Sequence, residues 1–208
     1  MRVPPYEFDP DTKFAAIHLC GCSHAVPPGT LRLNHGLSAH SSPVMTLSDM
    51  DKGRIGVDYA EAFEDSIALV ASMPSLTAGI LDGESIQLEH RAYMLLYGVL
   101  MQGVPQFWPG IITIGSKPGS EEPWANRLVV MDRFYRHRDM VLFRVTTDAL
   151  QLADAVVPGL IEVFPGRKIP EFARARRGVN SLIAGWKAGA ALDRLHMFVR
   201  ALDGLMKL

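Results

Sequence analysis

The chain has 208 residues, 48% of them hydrophobic and 21% charged, a composition that fits a globular protein and argues against a disordered one. The formal charge of −1 conceals a split: residues 1–126 carry 7 Lys or Arg against 14 Asp or Glu, whereas residues 127–208 carry 14 against 8. Only Cys20 and Cys22 are available, too close together to staple a fold, and the longest apolar run, Ala92 to Val104, is broken by Gln102 and too short to span a bilayer. The acidic, proline-bearing start MRVPPYEFDPDTK has neither the basic head nor the apolar run of a signal peptide, so a cytoplasmic protein with no membrane partner is expected.

Residues 1 to about 56 are rich in Pro, Gly, Ser and His and predict loop-rich β structure, with strands over Lys13–Cys20 and Gly29–Leu33. Turn signals at Val26-Pro27-Pro28-Gly29 and Asn34-His35-Gly36 separate them. A helix is expected from Asp58, because Asp58 and Glu61 have capping-box spacing and Ala60, Phe63, Ile67 and Val70 recur helically up to Pro74. A second helix is expected from Asp82 or Gly83 to Met101, with Ile86, His90, Tyr93, Tyr97 and Leu100 on one face, forming an antiparallel pair with the first. Gly110–Gly115 reads as a strand. Leu128–Met131 and Val141–Val145 read as a hairpin around a basic tip, Arg133 to Arg138, with a single short helix as the alternative.

From Thr146 the pattern turns helical. Thr146, Thr147 and Asp148 are N-cap candidates, and Leu150, Ala153, Val157 and Leu160 or Ile161 form a stripe with Pro158 as a kink. Pro165-Gly166 breaks the pattern before a basic helix from about Pro170 to Ala188. The final helix carries Leu192, Leu195, Val199, Leu202 and Met206 at steps of three and four, a stripe that must bury itself against something. Either it finishes against its own domain, or it is completed by a partner or by the remainder of a longer chain. The expected fold class is α+β, with an acidic mixed part over 1–145, containing short strands and a helix pair, and a basic helical module over 146–208.

Two chemistries follow from side-chain type. Arg133, Arg136 and Arg138 alternate with Phe134 and Tyr135, and Arg174, Arg176 and Arg177 cluster at the start of the penultimate helix. Guanidinium groups grip phosphates while aromatic faces stack on unpaired bases, so RNA is the expected partner. The other chemistry is metal binding: His18, Cys20, Cys22 and His24 would share one face of a strand, with His35 and His40 beyond, and thiolates and imidazoles are zinc ligands. One residue between the cysteines is shorter than the usual zinc knuckle. A cysteine nucleophile activated by histidine is a further possibility. No Gly-x-Ser-x-Gly elbow, phosphate-binding P-loop or Gly-x-Gly-x-x-Gly is present, which removes support from the large nucleotide-dependent classes.

The segment Arg194-Leu195 followed by Arg200-Ala201-Leu202-Asp203, with the helical run before it, resembles the core of HEPN-type helical domains of uncharacterised or defence-related bacterial proteins, with Asp203 where Glu is usual. The resemblance covers about Thr146 to Leu208. It implies a binding or regulatory protein that contacts RNA or pairs with a second copy through its last helix, without a resident cofactor, and gives Arg200 and Asp203 supporting polar roles. The ribonuclease signature of that superfamily, Arg, four to six residues, then His, is missing: Arg133 and His137 have three residues between them. The alternative expectation is a small zinc-dependent enzyme built on the Cys/His cluster.

Overall fold

The computed structural model describes residues 6–7, 11–75, 77, 79–80, 82–103, 111–115, 124–128, 144–164, 172–188 and 190–206. Its centre is β1 (Thr12–Leu19), an apolar strand that pairs antiparallel with β5 (Ile67–Pro74) on one side and β6 (Ile111–Gly115) on the other. β3 (Thr30–Arg32), β4 (Leu37–His40) and β7 (Trp124–Leu128) complete a six-stranded antiparallel sheet in the order β3-β4-β5-β1-β6-β7. A short parallel bridge joins β2 (His24–Ala25) to β8 (Val145–Thr146), so Val145 ties the start of the helical module to the N-terminal part.

The two faces of the sheet have different coats. Ala15, Ile17, Leu19, Leu69 and Ala71 share a core with α3 (Gly83–Gln102), α4 (Thr147–Val163) and α5 (Ala173–Lys187). Phe14, Ala16, Ala68 and Val70 point the other way, towards Tyr6, Val44 and Met45. Near them, α1 (Asp49–Ile55) and α2 (Val57–Glu64) are linked by the Lys52–Glu64 ion pair at 3.1 Å. A strand covered on both sides has no reason to alternate, and residues 67–71 are all apolar.

This double burial corrects one expectation. The helix expected over residues 58–73 ends at Glu64, and its apolar continuation is the strand β5. Asp58 does not cap it: the N-cap is Gly56, without a side-chain hydrogen bond. A continuous apolar run satisfies helical spacing and a fully buried strand equally. The antiparallel helix pair expected there is therefore replaced by α3 lying across β1 and β5 and against α4. The buried face of α3 is also rotated from the expected one, running through Leu88, Ala92, Leu95, Leu96 and Val99, while Ile86 is 69% exposed.

Other expectations hold. Asp82 caps α3 by accepting from the Ser85 N–H at 3.0 Å, and Thr146 caps α4 by accepting from Ala149 N–H at 3.1 Å. α4 buries Leu150, Ala153, Val157 and Leu160 as its periodicity predicts, with Pro158 inside the helix. The fold is α+β, with a strand-and-loop N-terminal region and a C-terminal helical module of α4, α5 and α6 (Ala191–Leu205). Most of the hairpin expected over residues 128–145 lies outside the described residues.

Candidate functional site

The basic residues of the last two helices meet in one groove, because α5 and α6 form a closely packed antiparallel hairpin. Small residues line the contact. A methyl group on Gly178 would meet the Leu205 side chain at 2.9 Å and the Gly204 carbonyl carbon at 3.1 Å. Ala201 and Gly204 are the buried residues of α6, and Phe198 stacks edge-on against Trp186 of α5 at 4.7 Å. Trp186 in turn donates its indole N–H to the Leu100 carbonyl at 3.0 Å, fixing the hairpin to the end of α3.

The groove along this hairpin has a volume of about 700 Å³, and its polar lining includes Arg174, Arg177, Asn180, His196, Arg200 and Asp203. Arg177 and Arg200 are exposed, one on each helix. Arg174 reaches across and donates to the Asp203 carbonyl at 3.0 and 3.2 Å, with its ion pair to the Asp203 carboxylate at 3.3 Å. A cation placed there also favours the negative end of the α6 dipole. The first turn of α5 has no acidic residue and its N-cap makes no side-chain hydrogen bond, so the positive end of the α5 dipole adds to the potential there. Asp203 is the one acid among the described groove-lining residues, against three guanidinium groups and an imidazole.

The residues expected to bind RNA thus separate. Arg174 and Arg177 line the groove, joined by Arg200 and Asp203 from the family-like segment. Arg176 lies elsewhere, in a cleft of about 290 Å³ with His90, Tyr93, Tyr97 and Phe164. Arg194 turns back to donate to the Ala188 carbonyl at 3.2 Å. Arg133, Arg136 and Arg138 lie outside the described residues. His196 joins the groove although sequence reading gave it no binding role; its spacing of four from Arg200 was the available signal.

The Cys/His cluster does not converge as a strand would make it. β1 ends at Leu19, and Gly21, at φ +62°, turns the chain. Cys20 is buried with Leu47, Ala60 and Phe63, whereas Cys22 enters the main core, where burial pushes its thiol up to about 12. His18 is buried under Phe63, its Nε2 accepting from the Val44 N–H at 3.3 Å, and Nδ1 of the buried His40 hydrogen-bonds the Thr30 hydroxyl at 2.9 Å. His24 lies on β2, where burial first and the Arg144 cation second lower its pKa. His35, at φ +56°, occupies the exposed turn before β4. Among the described residues no three His, Cys, Asp or Glu side chains are grouped to hold a metal ion.

Sequence reading also missed a buried cation. Lys13 on β1 is fully covered, paired with Asp82 and with Glu84 at 3.1 Å, and hydrogen-bonded to Thr77 at 2.6 Å. It ties the central strand to the start of α3. The signal was a lysine opening an otherwise apolar strand, with Asp82 and Glu84 two apart at a helix start.

No helix among the described residues is long and apolar enough to cross a membrane. The chain matches no protein-family model, no curated protein and no solved structure.

Proposed function

We propose that this is a cytoplasmic binding or regulatory protein of HEPN-like type whose α5–α6 groove holds the phosphate backbone of RNA. The observation that carries the reading is the convergence of Arg174, Arg177 and Arg200 from two helices on one groove in which Asp203 is the lone acid among the described lining residues. Guanidinium forks match phosphate geometry and stay charged at every physiological pH, so the groove attracts a polyanion regardless of its sequence. Ser181 and His196 also line the groove, and no hydrogen bond joins the two.

The test is a titration of fluorescent single-stranded RNA at two salt concentrations. Three phosphate contacts give a slope of about −2 in log K against log salt, a loss of roughly 20-fold between 50 and 200 mM. Affinity that does not change with salt, or no binding at 50 mM, would contradict the proposal. The zinc-enzyme alternative gains nothing from the placement of Cys20, Cys22, His18 and His24.

A further inference from the structure

A second recess lies on the other flank of α5, away from the arginine groove. α3 carries His90, Tyr93, Met94 and Tyr97 on one face over two turns. Because the buried face of α3 runs through Leu88, Leu95 and Val99, this row falls at the margin of the core. Met94 is buried, whereas His90, Tyr93 and Tyr97 keep part of their surface open. Tyr97 meets Tyr93 edge-on with ring centroids 6.5 Å apart, and meets Phe164, the C-cap residue of α4, at 5.7 Å and 74°. Arg176, in the first turn of α5, joins these side chains around the cleft of about 290 Å³.

We infer that this cleft binds a small aromatic carboxylic acid, with its ring among Tyr93, Tyr97 and Phe164 and its carboxylate on Arg176. The walls are π systems, and rings set edge-on to one another offer both edges and faces to a further planar ring. The charged and titratable groups have one sign: Arg176 and the imidazole of His90 line the cleft, with no carboxylate among the described lining residues. A guanidinium fork fits a carboxylate through two parallel hydrogen bonds, and its five N–H donors let it hold that carboxylate beside another acceptor. An anion there also sits near the positive end of the α5 dipole, whose first turn holds no acidic residue. The volume is at the lower limit of small-molecule pockets, which suits one or two fused rings with a single acidic group. The walls stand on α3, on the cap of α4 and on α5, so their geometry is set before a ligand arrives. Cleft and groove have no described lining residue in common, so the inference stands apart from RNA binding.

The experiment is calorimetric titration of the full chain with 1-naphthoate from about 10 μM to 5 mM, the range set by a ligand with so few atoms. One molecule binds per chain. Cyclohexanecarboxylate, which keeps the charge without the π system, and 1-naphthylmethanol, which keeps the rings without the charge, each bind at least tenfold more weakly. Arg176→Gln removes the advantage of the acid over the alcohol. Tyr97→Leu weakens both aromatic ligands and Tyr97→Phe restores them, whereas Arg177→Gln, in the groove, leaves naphthoate binding unchanged. Should Tyr97→Leu lower the melting temperature, Arg176→Gln decides alone. No saturable binding, or binding indifferent to Arg176→Gln, overturns the inference. So does displacement of naphthoate by single-stranded RNA with Arg176→Gln weakening RNA as much as Arg177→Gln, which makes the cleft part of the RNA surface.

Discussion

Gly178 and Gly204 touch backbone to backbone where α5 and α6 run side by side: a methyl group on Gly204 would lie 2.6 Å from the Gly178 Cα and 2.8 Å from its nitrogen. This contact decides how near the arginines of the two helices come, and therefore whether they act as one groove. Because the obstructing atoms are backbone, no rotamer change relieves the clash. Gly204→Ala gains about 1 kcal/mol of helix propensity but loses about 1–3 kcal/mol to overpacking, so a net loss is expected, lowering the melting temperature by several degrees. Gly159→Ala is the control. It lies within α4 with nothing within 4 Å of the new methyl group, and should raise the melting temperature slightly. Thermal denaturation of both variants checks the contrast; equal effects would contradict it.

The Lys13 network makes stability depend on pH in a definite direction. Lys13, then the Ser85 backbone N–H, then Thr77 hold the Asp82 carboxyl well below the usual carboxylate range. A carboxyl whose folded pKa is depressed contributes stability that is complete above its unfolded value, about 4, and fades as pH falls towards the folded value. Asp82→Asn should therefore melt well below the native protein at pH 7, with the gap closing below about pH 4. Melting curves of the two proteins between pH 2 and 7 test this. A gap that stays constant with pH would place the contribution elsewhere.

Buried thiols are slow nucleophiles and poor metal ligands, since both roles need the thiolate. Cys20 is fully covered, Cys22 nearly so, and burial pushes Cys22 up to about 12. Both should resist a thiol reagent at pH 8 in the folded protein and react at once in denaturant. Stoichiometric modification of the native protein within minutes would contradict these placements.

How far the sequence could be read depended on how one-sided each element is. β1, β3 and β6 were legible from apolar runs between turn signals, and α3 to α6 from caps, breaks and periodicity. β5 was not, because a strand covered on both faces loses the alternation that distinguishes it, and Asp58 with Glu61 imitated a cap upstream. In α6 the periodicity identified an apolar stripe, yet the chain packs through Ala201 and Gly204 instead. Hydrophobic periodicity weights large side chains, whereas close helix packing selects small ones. The groove was half legible: arginine clustering marked Arg174 and Arg177, but only the antiparallel hairpin brings Arg200 and His196 beside them. The Cys/His cluster depended on a strand continuing to His24, and Gly21 ends that geometry.

The central claim is that arginines from both helices act together on one polyanion, and charge removal at Arg177 and Arg200 tests it most directly. Both side chains are exposed, so Arg177→Gln and Arg200→Gln should leave the melting temperature unchanged. Each should weaken RNA binding and reduce the salt slope by about 0.7, and the double variant by about 1.4, while Lys52→Gln, far away on α1, changes neither. RNA binding with the native slope in the Arg177→Gln, Arg200→Gln double variant would show that the groove is not the binding surface.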